Sequence, residues 1–423
     1  MWSLIKEKRY WLYALIMIVV LGIFSVAQIG ARNSVELKKI PVAIVNESGN
    51  TASKNIEKSL KSKFKDDDSK IKWISVNNSK KLTKGFNDKK YYGAFIITKN
   101  FDNNLNEQQS YLKALVVSNK LLTVKQNSGS QSLPQALNDQ LNASQNVLKN
   151  TPNSAKFEIR INQGMNAQVA QALNTALPTI GNKIGSSLSQ KEQLAISEQG
   201  VSLTQQQWQV INNPVSVTTK QYNKIPNKSV SGMAPMLLVV LSWFGAMLPA
   251  ILLWRDHKKH SENNHFSISQ INSQVISGLL MSIITSSTTY VLAHNVFGIP
   301  VPNATELILL LIFNSFVFYL FQTAILDWTG MSGWPVIIIV WLLSAGVMSY
   351  APQMLGAFYR NWIYSWIPMR FSMQMINNSL YFTNGSSTMS SAVWVIAIIG
   401  VVALTLMYLS SLLKRQEKNA KAI

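Results

Sequence analysis

Six uncharged apolar runs decide what this chain can fold into. Trp11 to Ile29, Met233 to Trp254, Val275 to Phe297, Leu307 to Leu326, Trp334 to Ala351 and Ala392 to Leu413 each lack Asp, Glu, Lys and Arg. Each has roughly the 17 to 25 residues that a helix needs to cross a ~30 Å hydrocarbon core. In hydrocarbon every backbone N–H and C=O must be satisfied within its own segment, so each run reads as a helix, the fifth being the shortest. The first follows a basic leader, Lys6, Lys8 and Arg9. Its apolar core is longer than the ~7 to 15 residues of a cleaved signal, and Ser25-Val26-Ala27 is only the nearest thing to a cleavage site, so it reads as a retained anchor.

The chain is 47% hydrophobic and 14% charged, as a protein partly immersed in lipid would be. With no cysteine, disulfides, thiolate nucleophiles and cysteine-held metals are excluded. No Gly-Lys dipeptide occurs, so there is no phosphate-binding G-x-x-x-x-G-K-[ST] loop, and H-E-x-x-H and G-x-S-x-G are missing too. The expectation is a non-enzyme without cofactor, and any energy from ATP must come through another polypeptide.

Basic residues beside the spans set the orientation, because cytoplasmic flanks collect Lys and Arg. Lys6, Lys8 and Arg9 precede span one; Arg255, Lys258 and Lys259 follow span two; Lys414, Arg415, Lys418 and Lys421 follow span six. Six crossings with both termini in the cytoplasm put all three clusters inside and residues 32–230 outside a plasma membrane. That outside stretch holds 27 basic and 13 acidic residues, a net of +14 out of +20. Its position argues against nucleic acid as the partner. An external basic surface would meet anionic headgroups or an anionic wall polymer, or else be general solvation by Lys-rich faces.

Within the outside stretch, Lys39 to Val45 reads as a buried strand closed by the turn Asn46-Glu47-Ser48-Gly49. Ile56, Leu60 and Phe64 mark one face of a helix; Ile71 to Val76 is a second strand, Ser79 to Phe86 a short helix, Tyr92 to Ile97 a third strand and Tyr111 to Val117 a fourth. Strands alternating with helices predict an α/β subdomain over 32–120. From about Leu121 to Lys228 Asn, Gln, Ser and Ala dominate, and Leu133, Leu137 and Leu141, then Val169, Leu173 and Leu177, are spaced as on amphipathic helices, predicting a helical segment over 121–230.

The string KIPVAIVNESG shortly after the anchor, then KLTKGFNDKKYYGAFIITKNFD and LKALVVSNK, resembles the phage infection protein (YhgE/Pip) family. Span two, Ala234-Pro235-Met236-Leu237-Leu238 through Ser242-Trp243-Phe244-Gly245-Ala246, and the late segment Ile367-Pro368-Met369-Arg370 through Asn384-Gly385 are similar to that family's. Two departures stand out: the long coiled-coil middle of many members is missing, and Arg370 is not where the family's usual arginine falls. The wider kinship is to the membrane subunits of ABC-2-type exporters, with an extracellular insert between spans one and two and five spans after it. The resemblance implies an α-helical polytopic membrane protein of six transmembrane helices. An extracellular α/β plus helical domain is inserted between helices one and two. The parts run as a cytoplasmic interfacial helix (1–9), a first span (10–31), the insert, a five-helix membrane domain (231–413) and a cytoplasmic tail (414–423). It further implies a homodimer or heterodimer working with a separate ABC ATPase subunit on an amphipathic or anionic substrate, or alternatively a non-transporting surface receptor or scaffold that meets wall polymer or phage.

Four groups of residues stand out for function. Trp2, Leu4 and Ile5 face Lys6, Lys8 and Arg9 as in an interfacial helix beside an ATPase, or in a leader that only sets topology. The polar cytoplasmic loop Arg255 to Ser273 is by family analogy the docking site of the ATPase, with Arg255, Asp256, Lys258 and Lys259 as its candidates. His257, His260 and His265 lie in it with Asp256 and Glu262, a weak set for a metal. Residues 352–391 carry an aromatic stretch that Arg360, Pro368 and Arg370 interrupt before it could cross. Short re-entrant or interfacial helices at the outer leaflet are expected, with Arg360, Trp362, Trp366 and Arg370 either framing an exit or merely anchoring the domain in lipid. Inside the spans Asn314 and Gln322 read as helix-joining groups rather than a path, and Asp327 as reaching interfacial water.

Overall fold

The computed structural model describes residues 8–421 except 65, 67–68, 128–132, 262–265 and 383–384. The chain starts with α1 (Lys8–Ser25), which passes through a π-helical stretch, Val26–Gly30, into a last turn, Ala31–Asn33. A polar insert follows, and then a run of mostly apolar helices from Ala234 onward.

The insert is built on one five-stranded sheet in the order β2-β1-β3-β4-β5. Its strands are β1 (Ile40–Asn46), β2 (Ile71–Ser75), β3 (Gly93–Ile97), β4 (Ala155–Asn162) and β5 (Val215–Tyr222). β1 runs parallel to β2 and β3, β4 is antiparallel to β3, and β5 is parallel to β4. The parallel pairs need crossover helices. These are α2 (Thr51–Lys63), α3 (Lys80–Asn87) and, between β4 and β5, the long α6 (Ala167–Ser197) with α7 (Gln205–Asn212). β1 and β3 are apolar on both faces because both are covered. On one face Val42, Ile44, Phe95, Phe157 and Ile159 pack with Leu60, Phe101, Leu173 and Leu177; on the other Ala43, Val45, Ala94 and Ile96 meet Leu82 and Phe86.

Two expectations are corrected here. Tyr111 to Val117 is not a strand; it lies inside α4 (Phe101–Asn127). Phe101, Leu105, Gln108, Leu112 and Leu115 are buried at spacings of three and four, so the helical period overrides the short apolar run. Nor is 121–230 a helical segment set apart from an α/β one. Alongside α5 (Gln135–Leu148) it supplies β4 and β5, and Phe95↔Ile159 pairing crosses the expected boundary at residue 120. In β4, Ala155, Phe157, Ile159 and Ile161 are buried while Lys156, Glu158 and Arg160 turn outward, the alternation of a strand with one face on a core.

In the C-terminal half come α8 (Ala234–Lys259), α9 (Ile268–Tyr290, continued as π-helix by Val291–Val296), α10 (Ala304–Thr329), α11 (Trp334–Val347), α12 (Pro368–Tyr381) and α13 (Ser387–Lys421). Among the described residues, four helical stretches are long and apolar enough to cross a membrane, Ala234–Lys259, Ile268–Val296, Ala304–Val347 and Thr388–Leu412, with Met17–Asn33 a shorter apolar one. The third joins α10 and α11 through a 3₁₀ turn, Gly330–Gly333, where Gly330 takes φ 67°, open to glycine but costly to other residues. α11 ends at Val347, short of the Ala351 expected. Its 14 residues rise about 21 Å, less than a ~30 Å hydrocarbon core. Helix α10 is the hub, packing on α8, α9, α12 and α13, while α11 packs chiefly on the π-helical stretch of α1.

Candidate functional site

The buried polar groups of the membrane half gather on α10. Asn314, Ser315, Gln322, Thr323 and Asp327 are all at most 3% exposed, at helical spacings that face the neighbouring helices. Gln322 Nε2 donates to the Trp243 carbonyl of α8 at 3.2 Å, and Ser286 of α9 bonds Ser315 at 3.2 Å. Gly278 of α9 leaves room for the Tyr319 ring, whose hydroxyl donates to the Gln274 carbonyl at 2.9 Å. The Gln274 side chain in turn donates to Asp327 Oδ1 at 3.3 Å. Asp327 therefore does not reach water as expected: it is buried beside an amide donor, which is how a buried carboxylate is accommodated. Asn314 and Gln322 join or line the packed interior. Both amide atoms of Asn314 are buried without a hydrogen-bond partner among the described residues.

The expected docking loop is shorter than its sequence suggested. Helix α8 continues to Lys259 and α9 begins at Ile268. His257, Lys258 and Lys259 fall in the last turn of α8, where cations complement the carbonyl end of the helix. A capping box starts α9, Gln270 N–H donating to Ser267 Oγ and Ser267 N–H to Gln270 Oε1. Arg255, Asp256, Lys258 and Lys259 are exposed, and Lys258 Nζ lies 4.8 Å from the Trp254 ring centre. His257 and His260 each bond the carbonyl four residues back, Leu253 and Asp256. His265 and Glu262 lie outside the described residues, as do residues 1–7 of the expected interfacial helix.

Residues 348–381 form the seat of the insert. A 3₁₀ turn (Pro352–Met354) and a π-helical stretch (Tyr359–Tyr364) precede α12. Asn166 Nδ2 donates to the Ser349 carbonyl at 3.1 Å, the Tyr92 hydroxyl to Gln353 at 2.9 Å, and Asn377 Nδ2 to the Gly164 carbonyl at 2.9 Å. Lys89 Nζ completes the junction, donating to Asn377 Oδ1 at 3.1 Å and lying 4.5 Å from the Phe382 ring centre. The four candidates of this segment separate. Arg360, Trp362 and Trp366 are exposed, Trp362 by 74%, whereas Arg370 turns inward beside Tyr364 and Phe371. Lys89 was not singled out from the sequence. The signal was its place after α3, in a left-handed position usually held by Gly or Asn.

The model of the ABC-2 family transporter proteins matches residues 8–409. The chain belongs to that family. Comparison with the curated proteins and with the solved structures gives no match. An ABC-2 family transporter protein of this kind is a multi-pass membrane component, mostly helical, that typically works with an ATPase subunit. Within this member the α10-centred bundle is the membrane component, and the insert is anchored to it through residues 349–354 and α12.

Proposed function

We propose that this chain is the permease subunit of an ABC exporter, of the phage infection protein type, moving an amphipathic or anionic substrate with the energy of a separate ATPase. The single observation that carries the reading is the family match over nearly the whole chain, residues 8–409. The missing phosphate-binding loop means that ATP must be hydrolysed elsewhere.

On this reading the third long stretch crosses twice, as α10 and α11, and α1 adds one more crossing, giving six, with both termini cytoplasmic and the insert outside. A 44-residue apolar tract is too long for one crossing, and its Gly330–Gly333 turn supports two. The basic end of α8 then faces the cytoplasm as the ATPase contact, and two copies, or this chain and a relative, enclose the path. The test is reconstitution in proteoliposomes with and without the candidate ATPase. Export of a labelled anionic amphiphile that needs both proteins and ATP is the expected result; no ATPase co-purifying with the chain and no ATP-dependent movement would overturn it.

A receptor or scaffold role is favoured by one feature of the insert. Lys39, Lys58, Lys61 and Lys72 surround a hollow beside Phe64 and Trp73, with Asp66 at its edge, a surface suited to an anionic wall polymer. Deletion that abolishes phage or polymer binding while leaving export unchanged would favour this role.

A further inference from the structure

Where the insert meets the membrane half a cavity of about 260 Å³ opens between Lys89 and Tyr92 on one side and Tyr364, Arg370, Gln374 and Asn377 on the other. Its charge is one-sided: a lysine and an arginine line it, and no Asp or Glu among the described residues does. Among the described residues neither cation forms an ion pair. Lys89 has an amide oxygen and an aromatic face as its partners, and Arg370 Nη2 has the Ser365 carbonyl at 2.9 Å, its Nε being buried without an acceptor. Both cations are half-buried, and withdrawing a charge from water without a counter-charge is costly, so such cations are ordinarily paired.

The backbone adds an independent sign. Lys89 holds φ 56°, a left-handed conformation that disfavours side chains by roughly 1–2 kcal/mol, at the position after a helix where glycine would cost nothing. Strain of that kind persists where the side chain it carries is needed. Burial also pulls the Lys89 ammonium down to about 7, a penalty that a nearby negative charge would relieve.

We propose that this cavity is an anion site that takes a doubly charged phosphate group, clamped between Lys89 of the insert and Arg370 of α12. A single negative charge would leave one of the two cations uncompensated. Arginine offers a planar fork suited to phosphate oxygens and lysine a compact point charge, the pairing that phosphate recognition commonly uses. The volume lies just under the ~300–1,000 Å³ of sites for drug-sized ligands, so it admits a headgroup or free phosphate with a few waters but no acyl chain. Because its two cations belong to different parts of the fold, the bound anion would fasten the insert to the membrane half. The site does not depend on the exporter reading, since binding needs neither ATPase nor transport.

The test uses the full chain, followed by thermal unfolding through tryptophan fluorescence at pH 7. One arm titrates inorganic phosphate into lipid-free detergent solution against chloride at equal ionic strength. The other compares phosphatidylcholine nanodiscs with and without phosphatidic acid. A saturable rise in Tm is expected in at least one arm: in the first it assigns free phosphate, in the second alone a lipid headgroup. Lys89→Met and Arg370→Gln should each raise the half-saturating concentration at least tenfold, while Lys149→Met, at an exposed position just after α5, leaves it unchanged. Met373→Glu, which places a carboxylate at the cavity wall, should abolish the response and keeps the test open if Arg370→Gln fails to fold. No rise in either arm, or an equal loss in Lys149→Met and Lys89→Met, overturns the site.

Discussion

The backbone of Gly346 in α11 lies directly on the carbonyl oxygen of Ala27 in the π-helical stretch of α1, and a Cβ at residue 346 would have no room there. Gln28 Nε2 donates to the Leu342 carbonyl at 2.8 Å and the Tyr359 hydroxyl to the Val26 carbonyl at 3.1 Å, so the same stretch is fixed from two sides. Small residues that let backbones approach are the usual means of joining helices in lipid, where the hydrophobic effect gives no preference for one apolar partner over another. Gly346→Ala should therefore cost about 1–3 kcal/mol through overpacking, read as a lowered Tm in detergent, and Gly346→Leu should detach α1 from α11. A cysteine-pair crosslink engineered between positions 28 and 342 would report the detachment. Unchanged Tm and crosslinking in Gly346→Leu would show that α1 is held elsewhere.

A second prediction concerns the centre of the insert. Phe157 of β4 stacks on Phe101 of α4 with ring centres 4.7 Å apart and meets Phe95 of β3 at 4.8 Å, all three fully buried. Phe157→Ala should lower stability by about 3–5 kcal/mol and expose the β3–β4 pair to hydrogen exchange, whereas Lys156→Ala, on the exposed face, should stay within about 0.5 kcal/mol.

The position of Phe157 also marks what was legible in the sequence. β1, β2 and β3 were readable because short apolar runs ended at turn residues, and the long apolar spans were readable because lipid admits few alternatives. β4 was equally patterned, Phe157, Ile159 and Ile161 alternating with Glu158 and Arg160, but its polar surroundings obscured it. Tyr111–Val117 misled because seven residues cannot distinguish a strand from one stretch of a 27-residue helix. The candidate site divided in the same way. Asn314, Gln322 and Asp327 stand out in the sequence because polar groups are rare within and beside apolar runs, while Lys89 goes unnoticed among many insert lysines. Its partners, Asn377 and Phe382, lie nearly three hundred residues away, and no local pattern announces such a contact.

Gln322 tests whether the polar face of α10 is structural or a path. Its amide reaches the Trp243 carbonyl of α8 at 3.2 Å, a bond of the kind that contributes about 0.6–2 kcal/mol between membrane helices. Gln322→Leu should lower stability by that amount, read as a lower Tm, and leave ATP-dependent transport intact once the protein is assayed below its transition. Lost transport at an unchanged Tm would instead place Gln322 on the path.

Glu192 on α6 makes the insert sensitive to pH. Burial raises its carboxyl to about 7, and Oε2 is enclosed without a donor among the described residues. A carboxylate whose folded value exceeds its unfolded one favours the native state below the unfolded value, near 4.5, and that contribution is lost as pH rises through about 7. Glu192→Gln should match the parent at pH 4.5 and exceed it at pH 8 by on the order of 1 kcal/mol, discounted for partial exposure. Denaturant unfolding at the two pH values decides it: equal differences at both would remove the carboxyl as the cause.

The basic end of α8 bears on the partner. Arg255 and Lys259 are exposed on its final turns, outside the packed bundle, so reversing them should change what docks there and little else. Lys258 is a poorer choice, because its ammonium covers the Trp254 ring and its loss would disturb the helix as well. The double variant Arg255→Glu/Lys259→Glu should lower Tm by no more than about 4 °C, the small cost of anions near the carbonyl end of a helix, while the amount of ATPase captured with the tagged permease falls at least fivefold. The loss should deepen at low ionic strength, where charge contacts are screened least. Full capture by the variant would move the ATPase contact away from α8 and leave the basic cluster with its role in setting orientation alone.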